Sequence, residues 1–358
     1  MLEATNCLSR ALTSLLLLYV YVANFNAIDA ASYAAIDDPL SDLPQDLLSE
    51  CKGFGSQSHF QDKAITVTGD ALGNIYASQV MSNCQVDTLC VIPENVTLIM
   101  NDNLNLGALI VRGAVEWKDE LSPVNSYLCA GYIAIEDRGS WDMKLQSKLA
   151  WIYIKDNGAY HPKLRSRSFG SVGSNPMVNI EGRLLDRTWS LLSKPLVAGD
   201  EKMKLMHNAA LMGWKVGDRI AIAPTKKLAR SFGAEFRIHN IEDDGTITLD
   251  RPAEDNFEAE FAPPMGDGQQ PMLKSAEVVN LDRNIVITGD DFTQVACDPN
   301  LPEAVPGEQT SVEGCRCSSF RNKCTVGLHT IHMQGSVARI RNVRVEKCGQ
   351  RGEIHSFR

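Results

Sequence analysis

The hydrophobic residues of this chain recur mostly at alternate positions in short runs, and glycine ends many of those runs. A two-residue period is typical of β-strands, because successive side chains of a strand point to opposite faces. No helical spacing of apolar residues persists beyond a few turns. The pattern predicts strands over residues 96–100, 109–111, 132–136, 151–155, 178–181, 219–223, 236–241, 247–249, 284–288 and 338–346. We therefore expect an all-β protein.

Two segments of the chain share one pattern. Residues 132–141 and 151–160 both read aromatic-Ile-x-Ile-charged-Asp-x-Gly-small-aromatic, and they begin 151 − 132 = 19 residues apart. A strand and a glycine turn that return at such a spacing are typical of one coil of a parallel β-helix, whose stacked coils share an interior of alternate Ile and Val residues. We therefore predict a parallel β-helix-like solenoid. The alternative is an antiparallel β-sandwich, in which Asn157-Gly158 and Asp244-Gly245 would form the hairpin turns.

The charge balance restricts the possible partners. The chain has 358 residues, with 35 Lys and Arg against 44 Asp and Glu, which gives a net charge of −9. A content of 44% hydrophobic and 22% charged residues is enough for a core and excludes a disordered chain. Because an acidic protein has no general positive field to collect phosphates, nucleic acid is not an expected partner.

The N-terminal residues have the layout of a secretory signal peptide. Arg10 precedes an apolar run over residues 11–23, and small residues follow at 30–32. The run is shorter than the roughly 20 apolar residues of a spanning helix, so we expect cleavage near Ser32 and a secreted chain. A membrane is a partner only in the alternative in which the segment remains as an uncleaved anchor. Asn95 heads an Asn-x-Thr sequon and is the expected glycosylation site.

Cysteine content then takes its meaning from the secretory compartment. Of the 10 cysteines, Cys7 lies in the signal, which leaves 10 − 1 = 9 where disulfides form. The disulfide candidates are Cys84, Cys90, Cys297, Cys315, Cys317 and Cys324. The last three, with His329 and His332, also admit a zinc cluster. Disulfides are favoured because Cys-x-Cys is too tight for the usual zinc spacing.

Several segments resemble the G-eight domain, which is named for its eight glycines and is followed by a right-handed β-helix. Residues 91–98 and 109–113 are similar to the opening of that domain. The Trp-x-x-Gly-Asp strand from Trp214 and the Arg-Asn-Ile block within residues 276–289 are similar to later family segments. Further similar segments are residues 178–183, 187–191, 327–332 and 348–350. The family includes fibrocystin-like, hyaluronan-binding and hyaluronan-degrading proteins, so the resemblance implies a right-handed β-helix and an extracellular glycan or matrix function.

The resemblance covers about residues 84–350 and suggests a domain organisation. The expected parts are a signal peptide (1–32), an N-terminal polar segment with the first strand (33–83), a G-eight-type β domain (84–190), a continuing β domain with the Trp-x-x-Gly-Asp strand (191–290), a Cys/Pro-rich loop (291–326) and the start of a β-helix (327–358). The family pattern continues past the Gly-Gln at residues 349–350, whereas this chain keeps only Ile354-His355 of it. We therefore expect a truncated chain.

Two basic stretches stand out against the acidic whole. Lys163, Arg165 and Arg167 alternate with uncharged residues, so an extended strand would present all three on one face. The second stretch contains Arg339, Arg341 and Arg344. Both stretches are candidate binding sites for a polyanionic glycan such as hyaluronan. The competing interpretation is a solvated surface with acidic partners.

Two aspartates of the repeated segments are candidate metal ligands. If 19 residues form one coil, Asp137 stacks on Asp156 at about 4.8 Å, and such a pair would recruit a hard cation such as calcium. In the competing interpretation Asp-x-Gly is turn chemistry and no cofactor is required.

The sequence assigns no catalytic residues. The predicted function is a secreted or cell-surface glycan or matrix interaction module. One alternative is a hyaluronan-depolymerising enzyme, or a fragment of one, and the other is a structural ectodomain fragment.

Overall fold

The computed structural model describes residues 49–51, 60–225, 234–262, 272–290, 293–296 and 323–351. The expected signal peptide (1–32) lies outside these residues, as do Cys297, Cys315 and Cys317 and the sequence after residue 351. Strands dominate the described part, and three of its sheets are parallel. The all-β prediction is confirmed.

The parallel strands form three sheets, here named A, B and C. Sheet A contains, in spatial order, β1 (Gln61–Thr66), β3 (Thr88–Ile92), β6 (Ala108–Val111), β9 (Tyr132–Glu136), β14 (Ser168–Val172) and β27 (His329–His332). Sheet B contains β2 (Asn74–Tyr76), β4 (Thr97–Ile99), β7 (Ala114–Lys118), β10 (Ser140–Lys144), β15 (Met177–Glu181) and β28 (Val337–Arg341). Sheet C contains β5 (Leu104–Asn105), β8 (Asn125–Ala130), β11 (Leu149–Ile154), β24 (Ile285–Gly289) and β29 (Val343–Val345).

From β3 onward the chain enters the sheets in the repeating order A, B, C. Each strand pairs in parallel with the strand of the same sheet from the preceding pass. Leu109 of β6 pairs with Ile133 of β9, and Leu128 of β8 pairs with Ile152 of β11, which gives 133 − 109 = 24 and 152 − 128 = 24 residues per pass. This parallel pairing does not fit an antiparallel sandwich.

The interpretation of the 19-residue offset as one coil is wrong. The two repeated segments begin at β9 and β11, which belong to sheets A and C. The offset therefore measures the path between two sheets within one pass. Both segments read alike because strands of both sheets turn their alternate Ile residues into the same core.

One core fills the space between the parallel sheets. The Ile-x-Ile pairs of β9 and β11 are fully buried in it, as the alternation predicted. Rings from successive strands stack along it. Trp117 and Trp141 have centroids 6.5 Å apart, and Trp141 meets Phe169 edge-on at 5.4 Å. Burying each large apolar side chain contributes about 1.5–3 kcal/mol, so every pass is stabilised by its neighbours.

A short helix and two disulfides secure the first passes. Helix α1 (Ala77–Asn83) buries Ala77 and Val80 against the core. Cys84 and Cys90, both disulfide candidates, are joined with their Cα atoms 5.7 Å apart. A second disulfide, Cys51–Cys129, joins residues 49–51 to β8 with a Cα separation of 5.5 Å. Sequence reasoning did not single out this second pair.

Between β15 and β24 the chain builds an antiparallel sheet, sheet D. Its strands, in spatial order, are β16 (Trp189–Leu191), β23 (Glu277–Asn280), β18 (Arg219–Ile222), β19 (Ala234–Ile241), β20 (Ile247–Leu249) and β17 (Lys202–Met203). A separate cluster of buried residues that includes Trp214 and Phe236 forms its core. Three smaller groups of antiparallel strands complete the description: β12 (Tyr160–His161) with β13 (Arg165–Ser166), β21 (Ala259–Ala262) with β22 (Met272–Ser275), and β25 (Thr293–Ala296) with β26 (Lys323–Val326) and β30 (Gln350–Arg351).

A polar network joins sheet D to the parallel sheets, and residues of the resemblance motifs build it. The Asn284 amide donates to two carbonyl oxygens of the 145–148 turn at 2.9 Å and accepts from the Arg183 backbone N–H at 2.6 Å. Nη2 of Arg183 donates to both carboxylate oxygens of buried Asp218, at 3.0 and 2.9 Å. Gly182 admits no side chain, because a Cβ there would lie 2.3 Å from the backbone oxygen of Asn342 and 2.8 Å from Asn284 Oδ1. These motif residues therefore fix the points where sheet D leaves and rejoins the parallel strands.

Candidate anion-binding surfaces

Lys163, Arg165 and Arg167 do not form the expected single face. They lie on and beside the short hairpin of β12 and β13. Arg165 and Arg167 have left-handed φ angles of +69° and +53°, which break the alternation of an extended strand. Lys163 is exposed and Arg165 half-buried, whereas Arg167 is only 2% exposed. The expected three-cation face is wrong because the backbone turns within it.

Arg167 belongs to a buried polar cluster. Its guanidinium lies 3.7 Å from the Asp156 carboxylate and donates to the backbone oxygen of Asp290. The Asp290 carboxylate accepts from the Tyr153 hydroxyl at 2.8 Å and from the Asp156 backbone N–H at 2.6 Å. These contacts anchor the residue after β13, and they remove Arg167 from any surface site.

The second basic stretch also contains both exposed and largely buried arginines. The side chain of Arg344 on β29 is 12% exposed, bonds Glu346 at 2.7 Å and lies 3.9 Å from Asp282. Arg339 and Arg341 on β28 are exposed. The Arg341 guanidinium pairs with the Glu181 carboxylate of β15. Arg339 and Arg341 thus stay available at the surface, whereas two carboxylates hold the side chain of Arg344.

The outer face of sheet B brings further charged residues beside these two arginines. In-register pairing places Lys118 of β7, Lys144 of β10, Glu181 of β15 and Arg341 of β28 in one row. A parallel row contains Glu116, Asp142, Asn179 and Arg339. Neighbouring strands lie about 4.8 Å apart, so each row of four positions spans about 14 Å. We call these two rows the sheet B surface.

Sequence reasoning missed Lys118 and Lys144. They are far apart in the chain, and neither lies in a basic run. The signal that points to them is the acid-apolar-lysine pattern shared by residues 116–118 and 142–144, which recurs on strands of one sheet.

Ion pairs connect the two rows of the sheet B surface. Lys118 bonds Glu116 at 2.9 Å, and Lys144 bonds Asp142 at 3.2 Å. The hydrogen bond to Glu116 raises the pKa of Lys118, so this lysine stays charged at neutral pH. The four side chains are 33% to 50% exposed. Exposed pairs of this kind contribute only about 0–1 kcal/mol, so the acidic partners hold these lysines weakly.

The expected stacking of Asp137 on Asp156 is wrong. The two residues follow β9 and β11, which belong to different sheets. Asp137 lies in a turn with φ +51°, and Asp156 faces Arg167. A calcium site at these residues therefore loses the geometry on which it was predicted. Within the described residues, no group of three or more His, Cys, Asp and Glu side chains is arranged around a common metal position.

His329 and His332 use their rings within the protein. Nε2 of His329 donates to the Leu164 carbonyl at 2.7 Å. Nδ1 of His332 and Oγ of Ser171 share a hydrogen bond of 2.8 Å, and burial lowers the pKa of His332. Because the two histidines are three residues apart on one strand, their rings point to opposite faces of sheet A. This arrangement does not suit a shared zinc ion, and the cysteine side chains of the expected cluster lie outside the described part of the chain.

A Glu–His pair fixes the hairpin of β12 and β13 to sheet A. Oε1 of Glu136 lies 3.1 Å from His161 Nε2, and Oε2 accepts from Arg112 Nε at 2.9 Å. Nδ1 of His161 accepts from the backbone N–H groups of Lys163 and Leu164 at 3.2 and 3.0 Å. The ring proton therefore resides on Nε2 and is donated to Glu136. This bond, with the Arg112 guanidinium adding to it, lowers the pKa of Glu136.

Lys155 is a buried cation that belongs neither to the sheet B surface nor to the hairpin of β12 and β13. It is 4% exposed, and burial lowers its pKa to about 8. Its ammonium donates to Asn105 Oδ1 at 2.9 Å and to the Val86 carbonyl at 3.2 Å. These bonds give it a structural role in joining sheet C to the turn before β3.

The remaining sequence expectations concern the surface and the compartment. Asn95 is exposed in the turn before β4, with φ +64°, and its glycosylation stays a prediction. Among the helices that the structure describes, none is long and apolar enough to cross a membrane. No family model matches the chain, and no curated protein shows significant similarity to it.

Proposed function

We propose that this chain is a secreted glycan-interaction module of the G-eight type that binds a linear polyanion such as hyaluronan. The observation that carries the proposal is the strand register, which brings Lys118, Lys144 and Arg341 into one exposed row. Arg339 lies in the adjacent row of the same face. A polymer that crosses the strands would meet one side chain of the first row per strand, about every 4.8 Å, and three of these four side chains are cations while the third in order is Glu181.

The proposal includes a right-handed parallel β-helix as the architecture. The repeating A, B, C order and the in-register parallel pairing support it. In a solenoid of this kind each pass adds one strand to every face, so a long and flat surface arises from short strands. A flat surface with repeating charges suits a polymer better than a small molecule.

Affinity at such a surface comes from several weak contacts made by one polymer. Each exposed contact contributes about 0–1 kcal/mol, and linkage along the polymer raises their combined effect. Binding should fall steeply with salt, because the Debye length shrinks from about 10 Å at 0.1 M to about 3 Å at 1 M.

The two disulfides and the sequon at Asn95 support an extracellular location. A reducing compartment would not maintain the link between Cys51 and Cys129. Sequencing of the N-terminus of the exported protein tests the expected cleavage near Ser32.

The first test is a titration with hyaluronan and with heparin at two salt concentrations. We expect the double variant Arg339→Ala/Arg341→Ala to bind at least tenfold more weakly, and Lys118→Ala/Lys144→Ala to lose affinity similarly. The matched control is Lys202→Ala/Lys204→Ala, which removes two exposed lysines of sheet D that pair with Glu242 and Asp244 at 2.6 Å. Equal losses in the control, or binding that ignores salt, would contradict the proposal. Absence of binding to either polymer would favour the structural ectodomain.

A second candidate function, glycoside hydrolysis, is favoured by one observation. Glu116 and Asp142 are direct neighbours on β7 and β10. The two strands lie about 4.8 Å apart, close to the roughly 5 Å that separates the carboxyl groups of retaining glycosidases. However, each carboxylate bonds a lysine of its own strand, and Asp142 also accepts from Asn179 at 2.7 Å.

We expect no cleavage, because lysines occupy both carboxylates and keep them from a substrate. Sizing hyaluronan after long incubation tests this expectation. Shortened polymer with the native chain but not with Glu116→Gln/Asp142→Asn would establish the enzyme instead.

A further inference from the structure

The outer face of sheet D carries an apolar strip that contains an exposed tryptophan. Ile220 and Val278 turn into the core of sheet D, so the residues that alternate with them point to the opposite, outer face. In-register pairing places Trp189 of β16, Val279 of β23 and Ala221 of β18 side by side on that face. Trp189 is 44% exposed, and Val279 and Ala221 are half-buried. We call these three residues the sheet D strip.

Trp189 differs from the other tryptophans of the chain. All five tryptophans lie within the described residues, and Trp189 is the only exposed one. The other four are each at most 4% exposed: Trp117, Trp141, Trp151 and Trp214. A large ring at the surface that continues into apolar neighbours is typical of a binding surface.

Contacts on the buried side hold Trp189 in place. The carbonyl of Arg187 accepts a hydrogen bond from the Trp214 indole at 2.8 Å. Oγ of Ser190 and Nδ1 of His207 share a hydrogen bond of 2.9 Å. The residues on both sides of Trp189 are therefore fixed within the protein, and binding of a ligand does not pay for ordering them.

Arg187 supplies a cation at the tryptophan ring. Its guanidinium lies over Trp189, with Cζ 5.9 Å from the ring centroid. Stacking uses the face of the planar guanidinium and leaves the N–H groups at its edge for a carboxylate. Within the described part of the chain, the Arg187 guanidinium forms no ion pair or hydrogen bond.

The charges on the two sides of the sheet D strip are opposite. On the side of Arg187, Arg219 of β18 and Arg237 of β19 pair directly, and both alternate with core residues. On the other side, Glu277 of β23 pairs with Leu191. Charges arranged in this way orient an acidic ligand on the strip with its carboxylates toward the arginines.

We propose that the sheet D strip is a binding site for an acidic oligosaccharide, in which a sugar ring lies on Trp189 and Arg187 binds a sugar carboxylate. The inference rests on the proposed glycan-binding function and adds a second site, on a different sheet from the sheet B surface. The C–H face of a sugar ring packs on the indole and on the small side chains of Val279 and Ala221, which removes apolar surface from water. The pairing of guanidinium and carboxylate selects acidic sugars over neutral ones. The three strands of the strip span about 10 Å, which suits a short stretch of polymer.

The test measures how far a hyaluronan tetrasaccharide protects Trp189 of the full chain from fluorescence quenching by acrylamide. Because the other four tryptophans are buried, the quenchable fluorescence reports on Trp189. We expect saturable protection by the tetrasaccharide and little protection by a neutral N-acetylglucosamine tetramer. In Trp189→Phe both the quenchable component and its protection should disappear.

Variants of Arg187 test the carboxylate contact. Arg187→Ala should raise the tetrasaccharide concentration for half-maximal protection about tenfold, because it removes hydrogen bonds to a charged group. Arg187→Lys keeps the charge without the planar fork and should lose less affinity than Arg187→Ala. The matched control is Lys202→Ala/Lys204→Ala on β17, the opposite edge strand of sheet D, and it should behave like the native chain.

Three outcomes would overturn the inference. They are an absence of protection in the native chain, protection that persists in Trp189→Phe, and half-maximal protection of Arg187→Ala at the native concentration. Equal weakening in the Lys202→Ala/Lys204→Ala control would also overturn it, because the effect would then follow the net charge of sheet D.

The two proposals fail separately in this series. Lys118→Ala/Lys144→Ala should weaken polymer binding and leave the protection of Trp189 intact. If these variants weaken polymer binding but the tetrasaccharide does not protect Trp189, only the sheet D site is wrong. If Trp189 is protected but the sheet B variants bind polymer like the native chain, only the sheet B surface is wrong.

Discussion

Arginine residues of this chain have three roles, and their surroundings decide which one each performs. Arg167 and Arg183 are largely buried and bond carboxylates that fix the chain path. The side chain of Arg341 is 64% exposed and forms an ion pair with Glu181 of the adjacent strand. Arg165 uses no partner within the described part of the chain. The number of basic residues in a sequence run therefore does not tell how many of them are exposed and able to contact a ligand.

The pKa of Glu136 makes the hairpin contacts sensitive to acid. Hydrogen bonds from His161 and Arg112 hold this pKa below its unfolded value of 4.5. A lowered pKa means that the stabilisation is fully present above the unfolded value and is lost as pH falls through the folded value. Glu136→Gln should lower the free energy of unfolding by about 1–2 kcal/mol at pH 7.

The difference between Glu136→Gln and the native chain should then shrink progressively below about pH 4.5. Urea unfolding of both proteins between pH 3 and pH 7 measures it. Glu94→Gln, at an exposed turn position, serves as the control. A difference that stays constant over this pH range would show that the pair does not respond to protonation.

At the scale of elements, parallel register does more than join strands. It converts the alternation inside each strand into continuous rows across the sheet, so that residues 118 and 144 become neighbours and residue 341 joins the same row beyond Glu181. The same register places Trp117 and Trp141 together on the inner face. One pairing rule thus builds the core and the charged surface at once.

The two disulfides constrain elements to different degrees. Cys51–Cys129 spans 78 residues, and Cys84–Cys90 spans 6. By the chain-entropy relation, removing the first costs about 4.5 kcal/mol and removing the second about 2 kcal/mol. Urea unfolding of Cys51→Ala/Cys129→Ala and of Cys84→Ala/Cys90→Ala should rank them in this order. The reverse order would show that local packing around α1 outweighs the long loop.

At the scale of the whole molecule, the sequence predicts the all-β class because the inward alternation of residues such as Ile133 and Ile152 is local. The repeat at residues 132 and 151 led to a wrong coil length of 19 residues. Strands of two different sheets face the same core, so their sequences look alike although they belong to one pass. Neither Cys51–Cys129 nor the row of Lys118 and Lys144 is visible locally, because each depends on which strands become neighbours. The surroundings of Arg167 and Arg344 likewise depend on distant segments, which supply the backbone oxygen of Asp290 to the first and the Asp282 carboxylate to the second.

The corner between β15 and β24 has a consequence for how such a protein can change. The chain leaves the parallel sheets there, builds sheet D with its own core, and returns. Ile285 still pairs with Ala150, as it would if β24 followed β15 directly. On the side of the parallel sheets, Asn284, Gly182 and Arg183 hold the outgoing and the returning chain together. The corner is therefore a grafting point, where a domain of unrelated sequence can be exchanged by recombination or by design while the neighbouring strands keep their partners.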